Sequence, residues 1–175
     1  MRGLVHIYTG DGKGKTTASI GLGIRAYGRG FRVLMVQFMK GMDTGELKTL
    51  EGLGPRYSVK RGKGIKKFTW QMSREELEEF KKDQKEILDY ASNEVSAGKW
   101  DLLVLDEILG AINGEIIPLE DVVTLVKNKP DELELVLTGR NAPEELVELA
   151  DYVSEIKAVK HPMERGIPAR RGIEN

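Results

Sequence analysis

The 175-residue chain has no cysteine. That excludes disulfides, thiolate nucleophiles and cysteine metal sites. Its two histidines, His6 and His161, are not a spaced pair, and His6 reads as a packed strand residue. No apolar run approaches the length that spans a bilayer. Met1 leads almost directly into a strand, which reads as a chain without a signal peptide. An excess of one charge is lacking too: 27 basic and 28 acidic residues leave a net charge of −1, no basis for a general nucleic-acid binder. Repeats, low-complexity tracts and linkers are absent. These absences point to a single domain over residues 1–175, large enough for a real core. Its expected location is the cytoplasm, with no membrane and no nucleic-acid partner. High Lys and Glu content without cysteine fits a thermophile.

What is present begins with Thr9-Gly10-Asp11-Gly12-Lys13-Gly14-Lys15-Thr16-Thr17. The apolar run Leu4–Tyr8 leads into it, and a run with Ala18, Ile20, Leu22, Ile24 and Tyr27 leads out. Strand, glycine loop, Lys-Thr and helix together form the layout of a phosphate-binding loop. Glycines let backbone N–H groups turn toward an anion, and the helix start adds partial positive charge. Lys15 adds a full charge, and the Thr16 hydroxyl can hold Mg²⁺. The pattern G-x-x-x-x-G-K-[ST] asks for glycine where this chain has Thr9, so the loop is one of altered shape. A dinucleotide fingerprint fits less well, because Lys15 stands where its third glycine belongs and the second strand ends Gln37-Phe38-Met39-Lys40, with no acid placed for a ribose.

Further along, a first helix is expected from about Lys15 to Tyr27 and a buried strand over Phe31–Phe38. Residues 39–72 read as a long functional loop with one short strand near Tyr57–Lys60. Ser73 and Glu76 form a capping box, followed by a helix whose apolar face carries Leu77, Phe80, Ile87, Leu88, Ala91 and Val95. Strands follow at Leu102–Leu105, Leu133–Thr138 and Tyr152–Ile156, with helices opening at Pro118 and Pro143. The alternation predicts an α/β fold of three layers, with a mostly parallel sheet of about six strands and helices on both faces.

In such a sheet, ligands bind beyond the carboxyl ends of the strands. Gln37 and Lys40, Asp106-Glu107, and Thr138-Gly139-Arg140 all follow strands there. An apolar strand ending in Asp-Glu is the Walker B arrangement, in which one carboxylate serves Mg²⁺ and the other positions a nucleophile or a metal-bound water. Arg25 lies three turns into the first helix, where the pattern leaves a solvated charge and a ligand contact equally open. Phe68-Thr69-Trp70 is either a small packed cluster or a flat apolar wall for a planar ligand. The basic segment Lys60–Lys67 has no interleaved aromatic and reads as a solvated loop. From the residues alone the chain is a Mg²⁺–nucleoside triphosphate enzyme or switch with an unknown second substrate.

The whole ordered set resembles the P-loop type of ATP:corrinoid adenosyltransferase. The matching stretches include the loop with its shortened spacing, Arg25-Ala26, Val36–Gly41, Gly45-Glu46, Phe68-Thr69-Trp70, Val104–Glu107, Pro118–Glu120, Thr138–Arg140, Ala150-Asp151, Val159–Pro162 and Gly172–Glu174. The resemblance implies a P-loop (RecA-like) NTPase fold. It also implies transfer of the 5′-deoxyadenosyl group of ATP to the Co(I) centre of a reduced corrinoid, with triphosphate leaving. By the same resemblance ATP is expected to lie reversed across the loop, so that C5′ rather than the γ-phosphate is exposed.

Carried over, Gly10, Asp11, Gly12, Lys13, Gly14, Lys15, Thr16 and Thr17 contact the nucleotide, with Arg25, Gln37 and Arg140. Lys15 neutralises the leaving group, Thr16 and Glu107 serve Mg²⁺ with Asp106 in support, and Phe68 and Trp70 face the corrin. A homodimer and an electron-donating reductase are implied as well. Lys67 stands where a glycine is usual, the 41–68 stretch is slightly long, and no polar amino-terminal extension precedes the first strand. Any cover over the corrinoid is therefore expected from the 42–67 loop. A kinase or ATPase releasing ADP, or a nucleotide-switched binding module, are the competing readings.

Overall fold

The computed structural model describes residues 2–41, 44–63 and 69–173. Six strands, β1 (Val5–Thr9), β2 (Val33–Gln37), β3 (Tyr57–Arg61), β4 (Leu102–Asp106), β5 (Glu134–Thr138) and β6 (Tyr152–Glu155), form one sheet in the order β3-β2-β4-β5-β1-β6. Every pairing is parallel. The helices are α1 (Lys15–Gly28), α2 (Gly45–Glu51), α3 (Arg74–Ser96), α4 (Ile108–Asn113), α5 (Leu119–Asn128) and α6 (Glu144–Leu149).

Strand side chains alternate between faces, and the core divides accordingly. Leu34, Val36, Leu103, Leu105, Leu135 and Leu137 join the larger cluster with residues of α3, α4, α5 and α6. Val33, Met35, Leu102, Val104 and Val136 join a second cluster, packed by Ile20, Leu22 and Ala26 of α1 and by Leu50 of α2. β2 and β4 are buried at every position, as their unbroken apolar runs require of strands covered on both faces. All four residues of the edge strand β6 are exposed.

The capping box forms as expected: Glu76 N–H donates to Ser73 Oγ, and Ser73 N–H donates to Glu76 Oε2. Two short helices, α2 and α4, depart from the expected order. Helices this short do not hold together alone; tertiary contacts hold them, with Leu50 buried from α2 and Ile108, Leu109 and Ala111 from α4.

α3 also ties down the segment that reads as a loop. The buried Gln84 accepts the Met39 N–H through Oε1 at 2.9 Å, and Asp83 accepts the Lys63 N–H at 3.0 Å from each carboxylate oxygen. Register then places the functional ends together. Gln37 lies opposite Asp106, and Tyr8 lies opposite Thr138.

Candidate functional site

Between β1 and α1 the chain turns through residues 10–14. Gly10 has φ +97, and a Cβ there would sit 2.5 Å from the Ile156 carbonyl oxygen, because the loop lies against the chain leaving β6. Gly14 precedes α1 at φ +120 with open space around it, so its backbone rather than its surroundings demands glycine. No side chain caps α1. Its first turn therefore has no side-chain acceptor from its own cap, the arrangement in which a helix start can hold an anion. Lys15 Nζ donates to the carbonyls of Gly10 at 2.6 Å and Gly12 at 2.8 Å, folding the ammonium back over its own loop. Burial, helped by the charge of Arg140, lowers its pKa; Glu107 and Asp11 oppose that shift. Gly12 N–H is engaged elsewhere, donating to Ile156 O at 2.7 Å.

The acidic end of β4 is built around a fully buried carboxylate. Asp106 Oδ1 accepts the hydroxyls of Thr16 and Thr138, each at 2.8 Å. Its Oδ2 accepts Gln37 Nε2 at 3.1 Å, with Lys40 Nζ 3.8 Å away. Thr138 also accepts the Glu107 N–H at 2.9 Å. Glu107 itself adopts the left-handed conformation, φ 63 and ψ 17. Asp106 thus accepts the hydrogen bond that the Thr16 hydroxyl donates, which leaves the lone pairs of that hydroxyl for a cation. Gln37 is buried behind the acid, and its Oε1 has no partner among the described residues.

Burial, reinforced by Asp106, raises the pKa of Glu107, while Lys40, Lys15 and Arg140 pull it back. The native chain therefore holds this proton more tightly than the unfolded chain. The resulting stabilisation is present at low pH and is lost as pH rises from the ordinary carboxylate value through the raised one. We expect E107Q, which is neutral throughout, to match the wild type in thermal midpoint below that window and to exceed it above, both measured without ligand. A difference in midpoint that does not change with pH would remove Glu107 as its source.

The loop opens into a cleft of about 1030 Å³. Asp11, Gly12, Lys13, Gly14, Lys15, Thr16, Thr17, Trp70, Glu107 and Arg140 line it, as the sequence leads one to expect, along with Lys40. Asn113 Nδ2 donates to the carbonyls of Leu109, Arg140 and Asn141, which anchors the Arg140 turn. The Arg140–Asp11 pair, 3.7 Å apart with both side chains mostly exposed, adds little stability.

Three expected nucleotide contacts do not line the cleft. Gly10 lies against Ile156, Gln37 is buried behind Asp106, and Arg25 is exposed on α1, outside the cleft lining. Phe68 lies outside the described residues. His6, as expected, is packed within the strands, bonded to Glu134 and stacked on Tyr152.

The cleft also takes in residues for which the sequence offers no chemical role. Thr44, Gly45 and Glu46 come from the start of α2, and His161, Gly172 and Ile173 from the segment after β6. Gly45-Glu46, His161 and Gly172-Ile173 belong to stretches that carry the resemblance, and that is their one signal in the sequence.

Comparison with known proteins agrees with this geometry. A sequence model of the family described as ATP:corrinoid adenosyltransferase BtuR/CobO/CobP matches residues 1–175. The corrinoid adenosyltransferase of Escherichia coli (strain K12) is 35% identical over 174 residues, covering 99% of this chain and 86% of the relative. The corrinoid adenosyltransferase CobA of Salmonella typhimurium (strain LT2) is 33% identical over 174 residues, with the same 99% and 86% coverage. A corrinoid adenosyltransferase from Sinorhizobium sp is 35% identical over 179 residues, covering 99% of this chain and 80% of that one. With a phosphate loop, a buried Walker-type acid and full-length similarity in agreement, the chain belongs to the ATP:corrinoid adenosyltransferase family.

Proposed function

We propose that this chain moves the 5′-deoxyadenosyl group of ATP onto the cobalt of a reduced corrinoid, such as cobalamin, in its biosynthesis or salvage. In this step the Co(I) electron pair forms a cobalt–C5′ bond as the C5′–O5′ bond breaks, and triphosphate departs with the bonding electrons. The substrate supplies the nucleophile, so the protein's work is positioning and charge neutralisation.

The observation that carries the reading is that one cleft joins the phosphate loop to Trp70, a tryptophan 77% exposed. Exposed aromatic surface of that size in a cleft is suited to docking a broad apolar ligand. Lys13, Lys15, Lys40 and Arg140 line the same space and would neutralise the triphosphate. ATP reversed across the loop would present C5′ to the corrin face, and Phe68 would share the role of Trp70.

The oxygens of Thr16 and Glu107 in the cleft, with Asp106 behind Thr16, fit Mg²⁺. That ion prefers a few protein oxygens completed by phosphates and water. Mg²⁺ bound there would polarise the phosphate oxygens. Asp106, held by Gln37, accepts the Thr16 hydroxyl hydrogen and would so leave the lone pairs of that hydroxyl to the cation. The same reading has residues 1–175 acting as one cytoplasmic domain, as a homodimer, with a reductase supplying the electron.

The test is the phosphate product. With ATP, Mg²⁺ and chemically reduced cobalamin, we expect one inorganic triphosphate for each cobalt–carbon bond formed, followed by phosphate chromatography and the corrinoid absorption spectrum. Release of ADP would assign attack at the γ-phosphate and overturn the proposal. Full-length similarity to corrinoid adenosyltransferases disfavours that alternative and the nucleotide-switched module alike.

A further inference from the structure

We infer that His161 is a triphosphate-binding residue, carried into the cleft by the segment that follows β6. The inference rests on the reading of the glycine loop as the triphosphate site.

This segment is strapped to the loop at both of its ends. Ile156 N–H donates to Thr9 O at 2.8 Å, and Ile156 O accepts Gly12 N–H at 2.7 Å. A Cβ on Gly12 would approach Ile156 Cγ2 to 2.7 Å, so strap and loop touch with no room between them. At the far end, Lys13 Nζ donates to Ile173 O at 3.1 Å. Between these ties the chain makes a short helical turn, Pro162–Arg165, opened by His161.

His161 lines the same cleft as Lys15, Thr16 and Arg140. Its chemistry there is set by the turn it begins. Nδ1 accepts the backbone N–H of Met163 at 3.2 Å, and a nitrogen that accepts carries no proton. The neutral ring therefore carries its proton on Nε2, which can only donate. The ring's one acceptor is already used, so what remains suits an oxygen with lone pairs. The two ties hold the strap against Gly12 and Lys13 of the glycine loop, and His161 shares one cleft with both. Phosphate oxygen, rather than a base or ribose edge, is the acceptor this placement favours.

Two substitutions separate a binding role from a purely structural one. In H161N the side-chain oxygen stands near the place of Nδ1 and still caps the turn, but no donor reaches the place of Nε2. H161Q puts an amide N–H near the place of Nε2 and gives up the cap. The probe is inorganic tripolyphosphate, titrated calorimetrically against the full chain, with the thermal midpoint of each variant recorded. A single hydrogen bond to a charged group leads us to expect tripolyphosphate affinity about tenfold weaker in H161N, at an unchanged midpoint, and largely retained in H161Q. The reverse order, or equal affinities in the two variants, assigns His161 to the turn alone and overturns the inference. A wild-type chain that does not bind tripolyphosphate at all overturns the reading of the loop, and this inference with it.

Discussion

K15A is expected to lower turnover by about a thousandfold, the scale seen when a group that stabilises developing charge is removed from an active site. Lys15 already sits among oxygens, shared between the carbonyls of Gly10 and Gly12. Triphosphate would draw the ammonium from carbonyl dipoles to full negative charges, a stronger set of bonds. Alanine removes that cation. It also leaves two carbonyl oxygens in the loop without their donor, facing an anionic leaving group. K15R is not expected to rescue, since a planar guanidinium fork does not replace a compact ammonium held between two carbonyls. K13A is expected to cost far less: Lys13 also lines the cleft, but its ammonium is bonded to Ile173 O and not to the carbonyls of the loop. Single-turnover formation of the cobalt–carbon bond with chemically reduced corrinoid, together with calorimetric ATP binding, reads all three variants. Near-normal activity in K15A would show that the triphosphate binds elsewhere.

W70A is expected to act on the other substrate. Trp70 stands in a short 3-10 turn, Thr69–Gln71, just before the Ser73 cap, and remains 77% exposed in the cleft. Covering such a ring with a corrin face is worth about 2 to 3 kcal/mol of apolar burial, a factor of about fifty in binding or rate. The effect should be selective. ATP affinity should barely change, because Lys15 and Thr16 are untouched. Reductase-coupled activity on five-coordinate Co(II)alamin should fall by that factor, since an apolar wall that excludes water and the lower-ligand nitrogen together makes Co(I) easier to reach. With Co(I) supplied chemically the loss should shrink, because the step the wall assists has been bypassed. F68A is expected to behave in the same way. The spectroscopic companion is a four-coordinate Co(II) signal formed with ATP present and weakened in both variants. If the signal and the coupled activity persist in both, these aromatics are ordinary packing and the corrin lies elsewhere.

Much of the local structure around the cleft is legible in the sequence. The glycine loop, the apolar strand ending in Asp106-Glu107 and the Ser73–Glu76 cap are contiguous patterns, and each forms its expected local structure. The roles of particular side chains were less legible. Gln37 looked like a ligand contact because it ends a strand at the functional edge. Pairing with a strand 69 residues away turns it into a buried support for Asp106 instead. Arg25 sits at the right distance along α1, but helix rotation leaves it exposed and outside the cleft lining.

The sequence by itself determined the period-2 and period-3.6 elements, the phosphate loop and the family, because those signals lie in short runs of neighbouring residues. Only the tertiary structure decided which strands are adjacent, with β5 set between the loop strand β1 and the acid strand β4. It alone packed α2 and α4, two helices too short to form unaided. It alone brought His161 and Ile173 to the cleft, the latter joined to Lys13 across 160 residues. The physical reason is that local propensity is encoded by each residue and its near neighbours. Pairing and strapping depend on buried surface and hydrogen bonds shared between distant segments, and no single segment carries the pattern of its partner.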